Sequence, residues 1–186
     1  MSRWPADSGD RMRSAALELF GRHGFAPVTV HEIASHAGVT ERTFYRHFAS
    51  KEEVLFSEGD AILKSIVVAI TEVGKAASPR QVIDAVVAQL ASQFETDRES
   101  HRVRAIVIAS EPALLERDLL KQQQWVGAVA EMLAKRGLTH QRAVVLASAA
   151  TSTFRVEYLA WASDRSRTSL AKRVSGALDS LAIDVM

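Results

Sequence analysis

Apolar positions along this chain recur every three or four residues, interrupted by short polar or glycine-bearing stretches, and that spacing predicts one helix after another. Ala15, Leu19 and Phe20 share a face of a first helix over residues 8–23, which Gly24 ends. Thr29 and Glu32 stand at the spacing of a capping box, where hydroxyl and carboxylate satisfy each other's backbone donors, so a second helix starts at Val30. It stops early, at Ala37 and Gly38, because glycine readily takes the left-handed conformation that closes a tight turn. Thr40 caps a third short helix reaching about Phe48.

Ser50 and Glu53 repeat the capping-box spacing and predict a long fourth helix to about Val73. Ser78-Pro79-Arg80-Gln81 opens a fifth, with proline where the first helical N–H has no partner in any case. Further periodic stretches cover residues 99–109, 111–136, 140–163 and 167–185. Runs of β-branched residues such as Ile66-Val67-Val68 are short and lie inside longer helical patterns. No alternating strand, hairpin signal or internal repeat breaks the series, so the expected fold class is all-α.

The third predicted helix carries an unusual mixture. Phe44 and Phe48 fall on one face, Arg42 and Arg46 point the opposite way with Thr43 near them, and Tyr45 and His47 take the flanks. Two inward phenylalanines pin such a helix and leave a polar ridge in solvent. A short helix, a glycine turn and a second short helix is the helix-turn-helix arrangement, whose second helix enters the DNA major groove. The ridge chemistry suits that role: an arginine can take guanine O6 and N7 together, a glutamate such as Glu41 can accept from cytosine N4, and a threonine methyl can meet thymine. Tyr45, His47, Lys51 and Thr29 are placed to bind phosphates on either side. Isolated charges are usually just a solvated helix face; here the glycine turn, the two caps and the inward phenylalanines coincide with them.

Composition narrows the field further. With 186 residues, 47% hydrophobic and 24% charged, the chain is ordinary globular protein, long enough for a small domain fused to a larger one. It has no cysteine, which removes disulfides, thiolate metal sites and a cysteine nucleophile, and fits a reducing compartment. The first ten residues carry no apolar run behind their positive charge, so no secretory signal is expected. Residues 143–154, the most apolar stretch, are too short and mixed for a membrane span, and a cytoplasmic protein is expected. Net charge is only +1, but between Arg11 and Lys51 six Lys/Arg stand against three acids, with four histidines, a modest basic bias. His31 and His36 are five apart, not the four that bring two ligands to one metal. No Gly-x-Ser-x-Gly elbow, P-loop or Gly-x-Gly-x-x-Gly occurs. No metal, cofactor or catalytic residue is expected, and the chain is not read as an enzyme.

Residues 16–55 contain the patterns LF-x3-GF, TV-x2-IA-x2-AGV and TFY-x-HF-x-SKE. On these motifs the segment resembles the DNA-binding domain of the TetR family of transcriptional regulators. The resemblance implies that Thr29 and His31 lie at the DNA-proximal end of the second helix, and that Thr40, Glu41, Arg42, Thr43, Tyr45, Arg46 and His47 lie on the recognition helix. Lys51 then falls at the start of the fourth helix. Glu41 and Arg42 depart from the residue types common at their positions, so no operator sequence carries over. The family pairs this head with a helical ligand-binding and dimerisation domain and usually represses. The implied organisation is an N-terminal three-helix helix-turn-helix DNA-binding domain, residues 8–55, followed by a helical ligand-binding/dimerisation bundle, residues 56–186.

Within that bundle Ala143, Ala147, Ala150 and Phe154 form one apolar stripe, and Leu170, Val174, Leu178 and Leu181 another. Together with the resemblance they lead to an expected homodimer on a palindromic double-stranded operator, since two heads about 34–36 Å apart read adjacent major-groove faces. Phe94, Trp125, Phe154, Tyr158 and Trp161 are candidates to line an effector pocket, with Arg102 or Arg104 as anion partners. Residues 110–137 resemble, more faintly, actinobacterial regulators of acyl-coenzyme A-type ligands, which makes such a compound the expected small-molecule effector. Two other readings stay open at this point: an enzyme domain tethered to DNA, and a ligand-independent DNA-binding or architectural protein.

Overall fold

Glycine turns and capping side chains set several helix ends. A computed structural model describes residues 8–164 and 168–184, and every regular element within them is helical. Helix α1 (Ser8–His23) ends at Gly24, whose φ of 80° lies in the left-handed region and whose N–H donates to the Phe20 carbonyl at 2.9 Å. Helix α2 (Val30–His36) begins on the expected box: the Glu32 N–H donates to Thr29 Oγ1 at 3.2 Å, and the Thr29 N–H donates to Glu32 Oε2 at 2.7 Å. Gly38, at φ 68°, turns the chain, with the Val39 N–H on the Ala34 carbonyl at 2.9 Å. Helix α3 (Glu41–His47) starts on Thr40, whose hydroxyl accepts from the Thr43 N–H.

The expected long fourth helix is in fact two. Helix α4 (Glu53–Phe56) is a single turn, and α5 (Gly59–Glu72) follows it. Ser50 and Glu53 form no capping box, because neither side chain is available for one. The Ser50 hydroxyl bonds the Glu52 carboxylate, and the Glu53 carboxylate pairs with Arg117. Helix α6 (Pro79–Phe94) does start on a complete box made by Ser78 and Gln81. After a 3-10 turn (Glu95–Asp97) come α7 (Arg98–Ser110), α8 (Pro112–Ala134), α9 (His140–Ser163) and α10 (Leu170–Asp184). The expected limits of the last helix, at 167 and 185, lie outside the described residues.

The helices form two compact units. One comprises the chain up to Glu58 together with Glu99–Asp118; the other comprises Gly59–Arg98 and the chain from Leu119 onward. In the first, Met12, Ala16 and Phe20 of α1, Ile33 and Ala34 of α2, Phe44 of α3 and Val54, Leu55 and Phe56 of α4 form a single core. Val107 and Ile108 of α7 and Leu114 of α8 complete it. Residues of α7 and α8 thus share one core with Phe20 and Phe44. The head therefore takes in residues 99–118 instead of ending at a single cut after Leu55.

In the second unit α6 buries Val82, Val86, Leu90 and Phe94, α9 buries Ala143, Ala147, Ala150 and Phe154, and α10 buries Leu170 and Val174. The apolar stripes singled out on α9 and α10 are thus mainly packing within the chain. Helix ends here are satisfied by distant side chains. Arg136 donates to the carbonyls of Ile70 at 2.5 Å and Val73 at 2.9 Å at the end of α5. Glu95 accepts from the Leu170 N–H at 2.5 Å at the start of α10.

Phe44 has no exposed surface, whereas Tyr45 beside it is 55% exposed. Truncating the buried ring costs about 3–5 kcal/mol, and truncating the exposed one changes stability by no more than about 0.5 kcal/mol. Urea unfolding followed by circular dichroism of Phe44→Ala and Tyr45→Ala checks this difference.

Candidate nucleic-acid interface

Helix α3 is held from beneath by aromatic packing. The Phe44 ring lies 5.3 Å from Phe48 and 5.6 Å, edge-on, from Tyr45. On the opposite side Arg42, Tyr45 and Arg46 are exposed, and neither arginine has an ion-pair partner among the described residues. The ends of the helix are tied to its neighbours. His31 Nδ1 meets Glu41 Oε1 at 2.9 Å, linking α2 to the first residue of α3, and His47 Nε2 meets Ser8 Oγ at 2.8 Å, linking its last residue to α1. His36 turns the other way and bonds Glu18 at 3.0 Å. The two histidines of HEIASH thus serve different partners.

The threonines have local duties. Thr29 and Thr40 are the caps of α2 and α3, and Thr43 Oγ1 lies 3.1 Å from Thr40 Oγ1. The Thr29 N–H and hydroxyl, both on the Glu32 carboxylate, hold Glu32 below the usual carboxylate range. A hydrogen bond from His36, reinforced by Arg22, does the same for Glu18.

Lys51 is not the open phosphate-binding group that its position promised. Its Nζ donates to the carbonyls of Phe25 at 2.8 Å, Val28 at 2.8 Å and Ala26 at 3.3 Å, and sits 4.1 Å from the centroid of the Phe25 ring. An ammonium has three N–H donors, and all three are engaged by the α1–α2 loop. Burying unpaired carbonyls is costly, so the lysine closes that loop instead of facing solvent.

Residues 13–57 match the family model described as bacterial regulatory proteins, tetR family, and residues 77–185 match that of the MftR C-terminal domain. The chain belongs to the TetR family. It is similar to MftR of Mycobacterium tuberculosis, described as a mycofactocin biosynthesis transcriptional regulator, at 28% identity over 65% of this chain and 61% of that protein. The chain spans about three fifths of the length of the curated relatives it matches first. The fold is shared with FadR of Bacillus subtilis in complex with stearoyl-CoA, at 18% identity and a TM-score of 0.66 over 91% of this chain and 95% of that one. It is shared too with FadR of Thermus thermophilus in complex with lauroyl-CoA, at 20% identity and a TM-score of 0.60 over 92% and 91%.

In this TetR-family head the one-turn α4 is gripped by two arginines. Arg104 donates to the Leu55 carbonyl at 2.7 Å and to Asp118 at 3.0 Å, while Arg117 pairs with Glu53. Both guanidinium groups lie over the Phe56 ring, at 5.5 and 4.6 Å. No local pattern could have announced contacts between residues so distant in sequence. Arg104 is therefore engaged inside the head and is corrected as an effector partner. Arg102 is partly exposed and pairs with Glu99 one turn back on α7, and that bond raises its pKa.

The candidate effector-lining aromatics belong to the second unit. Phe94, Phe154 and Tyr158 are buried together, Phe94 lying 5.7 Å from Phe154 and 5.4 Å from Tyr158, with Trp161 6.4 Å from Tyr158. Trp125 is half-buried on α8 and makes no ring contact with them among the described residues. The cation at this cluster is Arg98, which the sequence reading missed. Its guanidinium lies 4.8 Å from the Trp161 ring and donates to the Trp161 and Asp164 carbonyls. Among the described residues no three side chains gather as metal ligands, and no helix is long and apolar enough to cross a membrane.

Replacing Lys51 with methionine keeps the aliphatic stem and leaves three carbonyls without their donor, so the midpoint of thermal unfolding falls and the protein binds every duplex more weakly. Arg42→Ala leaves the midpoint unchanged and reduces discrimination between duplexes instead. Thermal melts beside competition binding separate the two effects.

Proposed function

We propose that this protein is a sequence-specific DNA-binding transcriptional regulator, a repressor released from a palindromic operator when a small-molecule effector of the acyl-CoA class binds. The division of α3 carries the reading. Phe44 is wholly buried on one side, while Arg42, Tyr45 and Arg46 are open on the other, with neither guanidinium group paired among the described residues. Free guanidinium groups on a short exposed helix match phosphate oxygens and guanine edges. The head, comprising the chain to Glu58 with Glu99–Asp118, is the reading part, and Gly59–Arg98 with the chain from Leu119 is the effector-binding and dimerising part. Neither part is assigned a catalytic role or a cofactor, and the place of action is the cytoplasm.

The effector class draws support from the lauroyl-CoA and stearoyl-CoA complexes of proteins with this fold. In the chain itself, buried Phe94, Phe154 and Tyr158 supply apolar surface. An effector that favours the form unable to grip DNA must lose affinity when operator is bound, because the coupling is reciprocal.

A homodimer fits the outer face of α9. Val145, Ala149, Ser152, Val156 and Ala160 recur at steps of three and four residues on the side away from the core, and both valines are 61% exposed. This stripe replaces the buried Ala143–Ala147–Ala150–Phe154 series as the proposed seam. Two like faces would bring two heads to adjacent half-sites.

Selection of bound fragments from genomic DNA is expected to return an inverted repeat, and titration with acyl-CoA thioesters is expected to release the protein from it. Indifference of binding to the whole thioester series removes the effector class; failure to retain any duplex at low salt removes the regulator reading. Val156→Asp places a charge in the seam, and light scattering on a sizing column should record a shift from dimer to monomer mass.

A further inference from the structure

His31 and Glu41 come from different helices of the head, yet their side chains meet at 2.9 Å with both largely exposed. An exposed pair of this kind adds little to stability, so its position is what informs. Glu41 is the first residue of α3 and His31 the second of α2, the helix ends that a helix-turn-helix head brings to the major groove. A carboxylate there stands between walls of phosphate and is disfavoured unless its oxygens meet donors, one within the head and one on a base.

The imidazole supplies one such donor. A carboxylate only accepts, so Nδ1–H donates to Oε1 and restrains the glutamate, leaving Oε2 without a partner among the described residues. Glu32, on the same helix, is held by the Thr29 cap, and Glu18 is taken by His36 and Arg22. The base donor that a glutamate oxygen suits in the major groove is cytosine N4.

We propose that His31 is a positioning residue for Glu41, and that the pair reads a cytosine in each half-site. The proposal rests on the reading of the protein as a DNA-binding regulator and adds to it one base and the two side chains that select it. Neither residue is needed for the core, so substitutions at both should leave folding intact.

The test uses full-length protein and a randomised duplex pool, followed by competition between the selected duplex and one whose cytosine pair is changed to T·A. Wild type should discriminate about tenfold or more. His31→Ala should lose most of that discrimination while keeping its melting temperature and its affinity for the changed duplex. His31→Gln, whose amide N–H can still donate to Glu41, should restore it, and Glu41→Gln should move the preference to adenine. A wild-type selection with no cytosine held in common, or the same preference in His31→Ala, overturns the pairing while leaving sequence-specific binding intact. Absence of any duplex binding at low salt overturns the regulator reading and the pairing together.

Discussion

Three carbonyl oxygens of the loop after α1 converge on one ammonium group, that of Lys51, and the exposed edge of α3 depends on that convergence. A loop of this kind either hydrates its carbonyls and wanders, or finds internal donors and becomes rigid. The lysine makes it rigid and reaches it across the Phe25 ring. The loop in turn delivers Thr29, the cap of α2, and α2 delivers Gly38, whose left-handed backbone aims α3. Each step restricts the next. At the end of the series α3 lies with Phe44 inward and Arg42 and Arg46 outward.

The same logic recurs elsewhere. Helix ends expose four unsatisfied carbonyls or amides each, and in this chain many are met by side chains from far along the sequence. Arg104 serves α4, Arg136 serves α5, Arg98 serves the end of α9, and Glu95 serves the start of α10. These contacts place charged groups at backbone ends instead of at solvent, which is why Lys51 and Arg104 are unavailable for the ligands that their positive charge first suggested. A cation is free for recognition only when no carbonyl or carboxylate of its own chain has claimed it, and among the described residues Arg42 and Arg46 meet that condition.

Helix α9 illustrates a second principle. Its sequence offers two small-residue stripes at helical spacing, one beginning at Ala143 and one at Val145. Periodicity marks both as able to pack and ranks neither. Burial of Ala143, Ala147 and Ala150 within the second unit leaves Val145 and Val156 for another surface. The aromatic candidates divide in the same manner: Phe94, Phe154 and Tyr158 gather, while Trp125 makes no ring contact with them among the described residues.

The helical class, the boxes at Thr29 and Ser78, the turns at Gly24 and Gly38, and the inward phenylalanines of α3 were all legible from the sequence. Each is decided by residues within a turn or two, where spacing and backbone chemistry are sufficient causes. Only tertiary structure could deny the fourth helix its expected capping box, because Arg117, distant in sequence, takes the Glu53 carboxylate. Only tertiary structure could add Val107, Ile108 and Leu114 to the head, turn Lys51 inward and bring His31 to Glu41. Those outcomes depend on which donors and acceptors meet across space, and the order of residues along the chain does not encode such meetings at any fixed interval.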